Sequence, residues 1–190
     1  MMSKECVPVL TAAARFVPPP AHLPRALTPP PADLDPDARL RHELAALLRG
    51  RQAHVDARAA LAGIPPGRVN DRVDGWDHSL WDLVEHLRLT QADILEFVRG
   101  DYHDKEWPAD YWPARGASAS DWRRSRAGFF RDLDALVDLA QTADLTAELP
   151  HAPGYTVLRQ VLLAADHTSH HLGQVVALRR LLGLWPPPER

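Results

Sequence analysis

The chain has 190 residues and a formal net charge of −3 with its histidines neutral. This length fits one domain, and the acidic balance excludes the basic footprint of a nucleic-acid binder. A single cysteine, Cys6, excludes an internal disulfide, a cysteine-based zinc site and a paired-cysteine redox motif. No apolar run approaches the roughly 18 residues of a membrane helix, so we expect a cytoplasmic protein with no membrane partner.

Proline marks both ends of the chain. Residues 1–36 hold half of the 18 prolines, and such a segment cannot form the interior of a helix or a sheet. We therefore expect an extended Pro-rich N-terminal arm or leader over 1–36, a folded body over 37–184 and a Pro-rich tail over 185–190.

Four helical patterns fill the body. Leucines, valines and aromatic residues recur there at spacings of three and four, which is typical of amphipathic helices. The predicted helices run over about 36–62, 79–99, 120–143 and 156–182. Asp35 or Asp37 can cap the first helix, Asp77 or Ser79 can cap the second, and Gly100 ends the second. Sustained alternation of polar and apolar residues is missing, so the sequence predicts an all-α four-helix bundle without a sheet.

The last predicted helix has two apolar faces. One is the bundle seam Val157, Val161, Ala164, Thr168, His171, Val175, Leu178 and Leu182. The other lies about 110° around the helix and consists of Leu158, Leu162, Ala165, Ser169, Leu172 and Val176. This second face either packs inside the same chain or meets its twofold mate in a dimer.

Three histidines are candidates for a metal site. His167 and His171 are four residues apart on the last helix, so both side chains can reach one ion. His86 on the second helix approaches them if the two helices are antiparallel neighbours. Three neutral imidazoles suit Zn, Ni, Fe or Mn and leave coordination positions open. The alternative is a hydrogen-bonded core network without metal.

Other polar residues near these histidines have weaker signals. His170 points away from His171 and is interpreted as a surface residue, and three more histidines lack paired spacing: His78, His103 and His151. Four carboxylates are candidates for fixing an imidazole tautomer: Asp82, Glu85, Asp93 and Asp166. Arg88 and Arg179 are either a basic rim for an anionic cofactor or part of a solvated helix face.

The segment 100–119 is rich in aromatic residues, including Tyr111 and Trp112. Such a long connection either forms an apolar lid over the metal or anchors itself to the bundle as core. Several other chemistries are excluded, because the chain has no phosphate-binding glycine loop, no Gly-x-Ser-x-Gly, no His-Glu-x-x-His and no paired Glu-x-x-His.

Two motifs resemble those of the DinB-like superfamily. Residues 166–174 read Asp-His-Thr-Ser-His-His-Leu-Gly-Gln and precede Leu178-Arg179-Arg180, which resembles the last-helix signature of that family. A Gly-Trp turn at Gly75-Trp76 leads to His86-Leu87, which resembles the helix 2 signature. The resemblance covers about residues 37–184, and residues 1–36 have no counterpart in it.

The resemblance implies a four-helix bundle, often dimeric, with a metal held by three histidines. Carried over by position, these are His86, His167 and His171. Characterised members of the family include thiol-dependent transferases and isomerases that use bacillithiol or mycothiol, and many others have no known activity.

These observations favour a divalent-metal-binding protein, with zinc the first choice and Ni, Fe or Mn the others. The first functional hypothesis is a metal-dependent enzyme for small-molecule substrates, either a transferase that uses a low-molecular-weight thiol or a hydrolase. The second is a non-catalytic, stress-related metal-binding bundle that acts as a binding or interaction module. A homodimer is expected in both cases, with no nucleic-acid partner. The sequence assigns no catalytic residue and no cofactor-binding residue.

Overall fold

The structure, a computed structural model, describes residues 33–50 and 52–187. The predicted N-terminal arm lies almost wholly outside the described residues, as do the last three residues of the predicted tail. The described elements are the helices α1 (Pro36–Arg49), α2 (Ala57–Leu61), α3 (Leu80–Arg99), α4 (Ala119–Thr142) and α5 (Val157–Leu181), a 3-10 turn at Pro66–Arg68, and the strands β1 (Glu148–Leu149) and β2 (Ala152–Thr156).

The long helices pack into one bundle. Helices α1 and α3 each contact both α4 and α5, and α4 also contacts α5. All four contribute buried side chains to the interior, including Leu44 of α1, Leu83 of α3, Phe129 of α4 and Val175 of α5. The predicted all-α class is therefore confirmed.

Local signals set the ends of α3, α4 and α5. Ser79 accepts a hydrogen bond from the backbone of Asp82, whose carboxylate accepts one from the backbone of Ser79, and this capping box begins α3. Ser118 and Asp121 form the same arrangement at α4. Gly100 ends α3 with φ +82°, a left-handed conformation that glycine adopts without strain. These three helices lie within two residues of their predicted bounds.

The first predicted helix is shorter than expected. Asp35 caps it as predicted, but it ends at Gly50, which has φ +75°. The chain then resumes as the short helix α2 after an N-cap at Asp56. The prediction of one helix to residue 62 is wrong because Gly50 adopts a conformation that no α-helix continues through. The predicted apolar stripe is also split, since Leu44 is buried whereas Leu47 is 42% exposed.

A small antiparallel hairpin precedes α5. Strands β1 and β2 pair through Glu148 with Thr156 and Leu149 with Ala152, with an irregularity between the two pairs. The prediction of no sheet is wrong here, because strands of two and five residues are too short to show alternation along the sequence. Thr156 then caps α5 through its side chain.

Helix α5 buries its seam and only part of its second face. The seam residues Val161, Val175 and Leu178 are inaccessible to solvent. On the second face, Ala165 and Leu172 are buried within the chain, whereas Leu162 is 44% exposed. The interpretation of this face as intrachain core therefore holds for only part of it.

A buried arginine joins three parts of the chain. Arg179 on α5 is fully buried, and its guanidinium donates to the backbone carbonyls of Ala59, Ala60 and Ala62 around α2 and of Leu184 beyond α5. Burial lowers the pKa of Arg179 to about 10, which still leaves it charged at neutral pH. Backbone carbonyls, with no carboxylate among these hydrogen-bond partners, thus satisfy the cation.

Replacing this arginine should weaken the fold. Arg179→Met keeps the length of the side chain but leaves four carbonyls without their donor, and we expect a loss of about 3 kcal/mol in the free energy of unfolding. Urea unfolding followed by circular dichroism measures it. Arg180→Met is the control, since Arg180 is exposed and its loss should change stability by less than about 0.5 kcal/mol. Equal stability of the two variants would contradict this role.

Within the described part of the chain, no helix combines the length and apolarity needed to cross a membrane.

Candidate metal centre

Three imidazoles meet between α3 and α5. One ring nitrogen from each of His86, His167 and His171 lies within 4.8 Å of the other two. The Nε2 atoms of His86 and His167 are 3.1 Å apart. His86 is 2% exposed and His171 is 8% exposed, whereas His167 is half-buried. The structure thus brings together the three histidines that the sequence singled out.

Each of these imidazoles is held through its Nδ1 atom. The Nδ1 atom of His86 donates to the backbone carbonyl of Tyr111 at 2.7 Å, and that of His171 donates to Oε1 of Gln174 at 2.6 Å. The Nδ1 atom of His167 is 3.3 Å from the Thr90 hydroxyl, which itself donates to the His86 carbonyl. A carbonyl only accepts hydrogen bonds, so it fixes the tautomer of His86 with its proton on Nδ1.

This arrangement fits a divalent cation. With its proton on Nδ1, His86 presents the lone pair of Nε2 toward the other two rings. The Nε2 atoms of His86 and His167 are 3.1 Å apart, close enough for both to bind one ion. Imidazole nitrogens fixed by an acceptor on the opposite side of the ring are the usual donors of transition-metal sites.

The surroundings keep the histidines neutral. Burial, together with the neighbouring His171 and His86, lowers the pKa of His167 to about 4. Burial also lowers the pKa of His171 to about 4, against the opposing effect of its hydrogen bond to Gln174. Burial likewise lowers the pKa of His86. At neutral pH all three rings therefore offer lone pairs without first losing a proton.

A stack of three rings supports His86. The Trp112 indole lies parallel to the His86 ring, with centroids 3.9 Å apart and an interplanar angle of 1°. His78 stacks on the opposite face of Trp112 at 4.0 Å. Trp107 approaches the His86 ring edge-on at 6.4 Å and is itself 69% exposed. His86 is thus held at its edge by Tyr111 and on its face by Trp112.

The segment 101–117 is fastened to the bundle at several points. Lys105 pairs with Asp93 and Glu96 of α3, and the Tyr111 hydroxyl donates to Asp93. Farther along, the Trp81 indole donates to the Arg115 carbonyl. These contacts favour the anchored interpretation of the segment over that of a free lid.

The expected carboxylate supports of the imidazoles are wrong. Asp82 belongs to the cap of α3 and pairs with Arg72, and Glu85 pairs with Arg88. Asp93 binds Lys105 and Tyr111, and Asp166 is exposed. An amide, a hydroxyl and a backbone carbonyl take their place. Gln174 lies three residues after His171 on the same helix, which is a usable signal, whereas Thr90 contacts a histidine of another helix. A backbone carbonyl leaves no signal in the sequence.

Four other histidines, discussed above as weaker candidates, lie outside the cluster. His170 is exposed, as predicted, although its ring contacts that of His171. His78 joins the Trp112 stack, His151 contacts Phe97, and His103 lines a separate cavity.

Neither arginine forms a basic rim beside these histidines. Arg88 pairs with Glu85 on the side of α3 that faces α4, and Arg179 is buried against backbone carbonyls. Helix direction explains both, because neither position shares the face of His86 or His171.

Residues 49–175 match the DinB superfamily. This match covers most of the chain and includes all three clustered histidines, and the chain therefore belongs to the DinB superfamily. Comparison with curated proteins and with solved structures finds no match.

The Trp112 stack predicts a difference between two tryptophans of one segment. Trp112→Ala removes the ring between His78 and His86, and we expect cleavage within 101–117 by a protease to become about tenfold faster because the segment loses its main packing contact. Trp107→Ala is the matched control, and since Trp107 is mostly exposed its rate should stay within about twofold of the wild type. Similar rates for both variants would show that the hydrogen bonds alone hold the segment.

Proposed function

We propose that this protein binds one divalent metal ion through His86, His167 and His171 and works as a metal-dependent enzyme on small molecules. The observation that supports this most strongly is the convergence of one ring nitrogen from each of the three histidines, each of whose Nδ1 atoms contacts a polar group of the protein. Zinc is the first choice and Ni, Fe or Mn are the alternatives, because neutral imidazole suits all four metals.

The number of donors favours catalysis over a structural role. Among the described residues, no fourth His, Cys, Asp or Glu joins the three histidines. Structural zinc sites are closed by four protein ligands, whereas catalytic sites use three and keep a position for water or substrate. An ion in this position would supply Lewis-acid chemistry, since it makes a thiol or a water molecule more acidic.

The chain itself contributes binding and orientation. The Tyr111 carbonyl fixes the tautomer of His86, and Thr90 and Gln174 orient the rings of His167 and His171 through their Nδ1 atoms. Because the pKa values of His167 and His171 lie near 4, these rings stay neutral at pH 7.

The cavity that His103 lines supports a small-molecule substrate. It has a volume of about 280 Å³ and lies along α3 and α5, with Tyr111 and Leu163 in its lining. Leu163 lies one helical turn before His167, and Asp93 in the same lining lies one turn after Thr90. Aromatic rings also line it, and Lys105 in the lining is neutralised by Asp93 and Glu96, which suits a substrate with an apolar body.

The reaction we propose first is transfer of a group to a low-molecular-weight thiol, and hydrolysis is the second possibility. The resemblance to thiol-dependent members of the family supports the first choice. None of the described residues is a cysteine. A thiol supplied by a small molecule from outside the protein is consistent with this composition.

Removing one histidine should remove the metal. His171→Ala deletes one of three donors, and we expect purified protein to retain less than about a tenth of the wild-type metal after dialysis. Elemental analysis by mass spectrometry measures the content per chain. His170→Ala and His103→Ala are the matched controls, since neither residue belongs to the cluster, and both should keep the metal.

Equal metal content in all three variants would mean that these histidines are not the ligands. Catalysis is tested separately, by screening the metal-loaded wild type with low-molecular-weight thiols and small electrophiles and with small esters and amides. Turnover that is lost in His171→Ala supports an enzyme. Metal binding without any turnover favours the alternative of a non-catalytic binding module.

We also propose that the protein is a homodimer joined through the exposed part of the second face of α5. Leu162 is 44% exposed in the single chain, and Leu158 and Val176 on the same face are half-buried. Apolar side chains on one helical face gain free energy when they meet their twofold mates.

A charge on this face should separate the dimer. Leu162→Arg places a guanidinium in the twofold contact, and we expect a helical monomer that still binds metal, because the metal-site histidines lie on another face of α5. Light scattering gives the mass and circular dichroism the helix content. Leu47→Arg on α1 is the control, since Leu47 is similarly exposed at 42%. A wild-type protein that is already monomeric, or a variant of dimer mass, contradicts the proposal.

A further inference from the structure

A larger cleft lies on the opposite side of α3 from the candidate metal centre. Its volume is about 560 Å³, and it is lined by residues of α3, the 113–115 segment and α4. On α3 the lining positions are Trp81, Glu85 and Arg88, which share one helical face. His86 and Thr90 occupy a different face, so the cleft and the histidine cluster are separate sites.

Arg88 is the least exposed of the arginines that line this cleft. Its side chain is 27% exposed and pairs with Glu85, which is 14% exposed. A Cβ atom at Gly128 of α4 would lie 2.8 Å from Cδ of Arg88, a distance that would force the arginine to move. Glycine is unfavourable inside helices. At position 128 its lack of a side chain leaves space for the Arg88 side chain between α3 and α4.

Ser125 adds an unpartnered polar group to the same lining. Its residue is 3% exposed, and its hydroxyl has no hydrogen-bond partner in the structure. Buried hydroxyls nearly always have a partner. The oxygen is buried, and a ligand atom that reached it from the cleft would supply the missing hydrogen bond.

Three more arginines surround the opening, where their side chains are 71% to 74% exposed: Arg115, Arg124 and Arg131. Arg115 and Arg124 share the single carboxylate of Asp121, and Arg131 pairs with Asp132. Together with the Arg88–Glu85 pair, four guanidinium groups face three carboxylates, which leaves one positive charge in excess. The arginines attract and orient an anion, because guanidinium geometry matches carboxylate and phosphate oxygens.

We propose that this cleft binds a small ligand that carries an oxyanion group, a carboxylate or a phosphate, on a flat apolar body. The oxyanion lies near Arg88 and the Ser125 hydroxyl. The apolar body lies against Trp81, Pro113 and Ala114, which are apolar residues of the lining. The volume suits a small organic molecule. The site requires none of the metal-binding histidines, so it does not depend on the function proposed above.

Calorimetric titration with benzoate and with phenyl phosphate tests this site. Both probes carry an oxyanion on a ring, and their relative affinity assigns the headgroup, while benzyl alcohol supplies the ring without the charge. We expect saturable binding of at least one oxyanion probe at millimolar concentration or below, and none of benzyl alcohol. Protein treated with a chelator should bind the same probe equally well, which separates this result from that of the metal experiments.

Three variants locate the binding. Arg88→Gln should weaken it by roughly tenfold or more. Arg123→Gln is the matched control, because it removes the same charge from a neighbouring exposed position of α4 outside the cleft, and its affinity should stay within about twofold. Gly128→Ala changes no charge and favours the helix, yet it displaces Arg88 and should also weaken binding.

Circular dichroism confirms that each variant is folded. If Arg88→Gln does not fold, Gly128→Ala decides the question. Absence of saturable binding by both oxyanion probes, or equal affinity of the wild type and the folded cleft variants, overturns the proposal.

Discussion

The Nδ1 atoms of three histidines each contact a polar group of the protein, and this constraint orients the rings so that one nitrogen of each meets the others between α3 and α5. His86 contributes from α3, and His167 and His171 contribute from α5. The ring nitrogens meet in only one register of α3 and α5. A shift of one helix along the other by a single turn would separate them. Because the acceptor for His86 is the Tyr111 carbonyl, the same constraint positions the segment between α3 and α4.

Helix α3 separates two kinds of chemistry. Its face toward α5 carries His86 and Thr90 in surroundings that keep imidazole neutral. Its face toward α4 carries Glu85 and Arg88, where charged groups are paired and one cation is in excess. A helix repeats every 3.6 residues, so neighbours in sequence such as Glu85 and His86 belong to different sites. The histidine cluster and the charged cleft therefore occupy different faces of the same stretch of α3.

Much of the fold and the identity of the clustered histidines could be predicted from the sequence. The spacing of apolar residues located α3, α4 and α5, and the four-residue spacing of His167 and His171 identified a shared face. The break of α1 at Gly50 and the hairpin before α5 were missed, because one glycine conformation and two very short strands have weak local signals. The support of His86 was also missed, since a backbone carbonyl 25 residues away carries no side-chain signature.

Arg179 shows how unevenly the chain tolerates substitution. Its guanidinium donates to backbone carbonyls, three around α2 and one beyond α5. Main-chain groups persist whatever side chain is attached, so exchanges among small residues at Ala59 or Ala62 leave this contact available, limited only by packing. The arginine has no such freedom, because no other side chain provides five donors in one plane. Substitution of this one residue therefore breaks the junction between α2, α5 and the start of the C-terminal tail, whereas substitution of the residues that accept its hydrogen bonds does not.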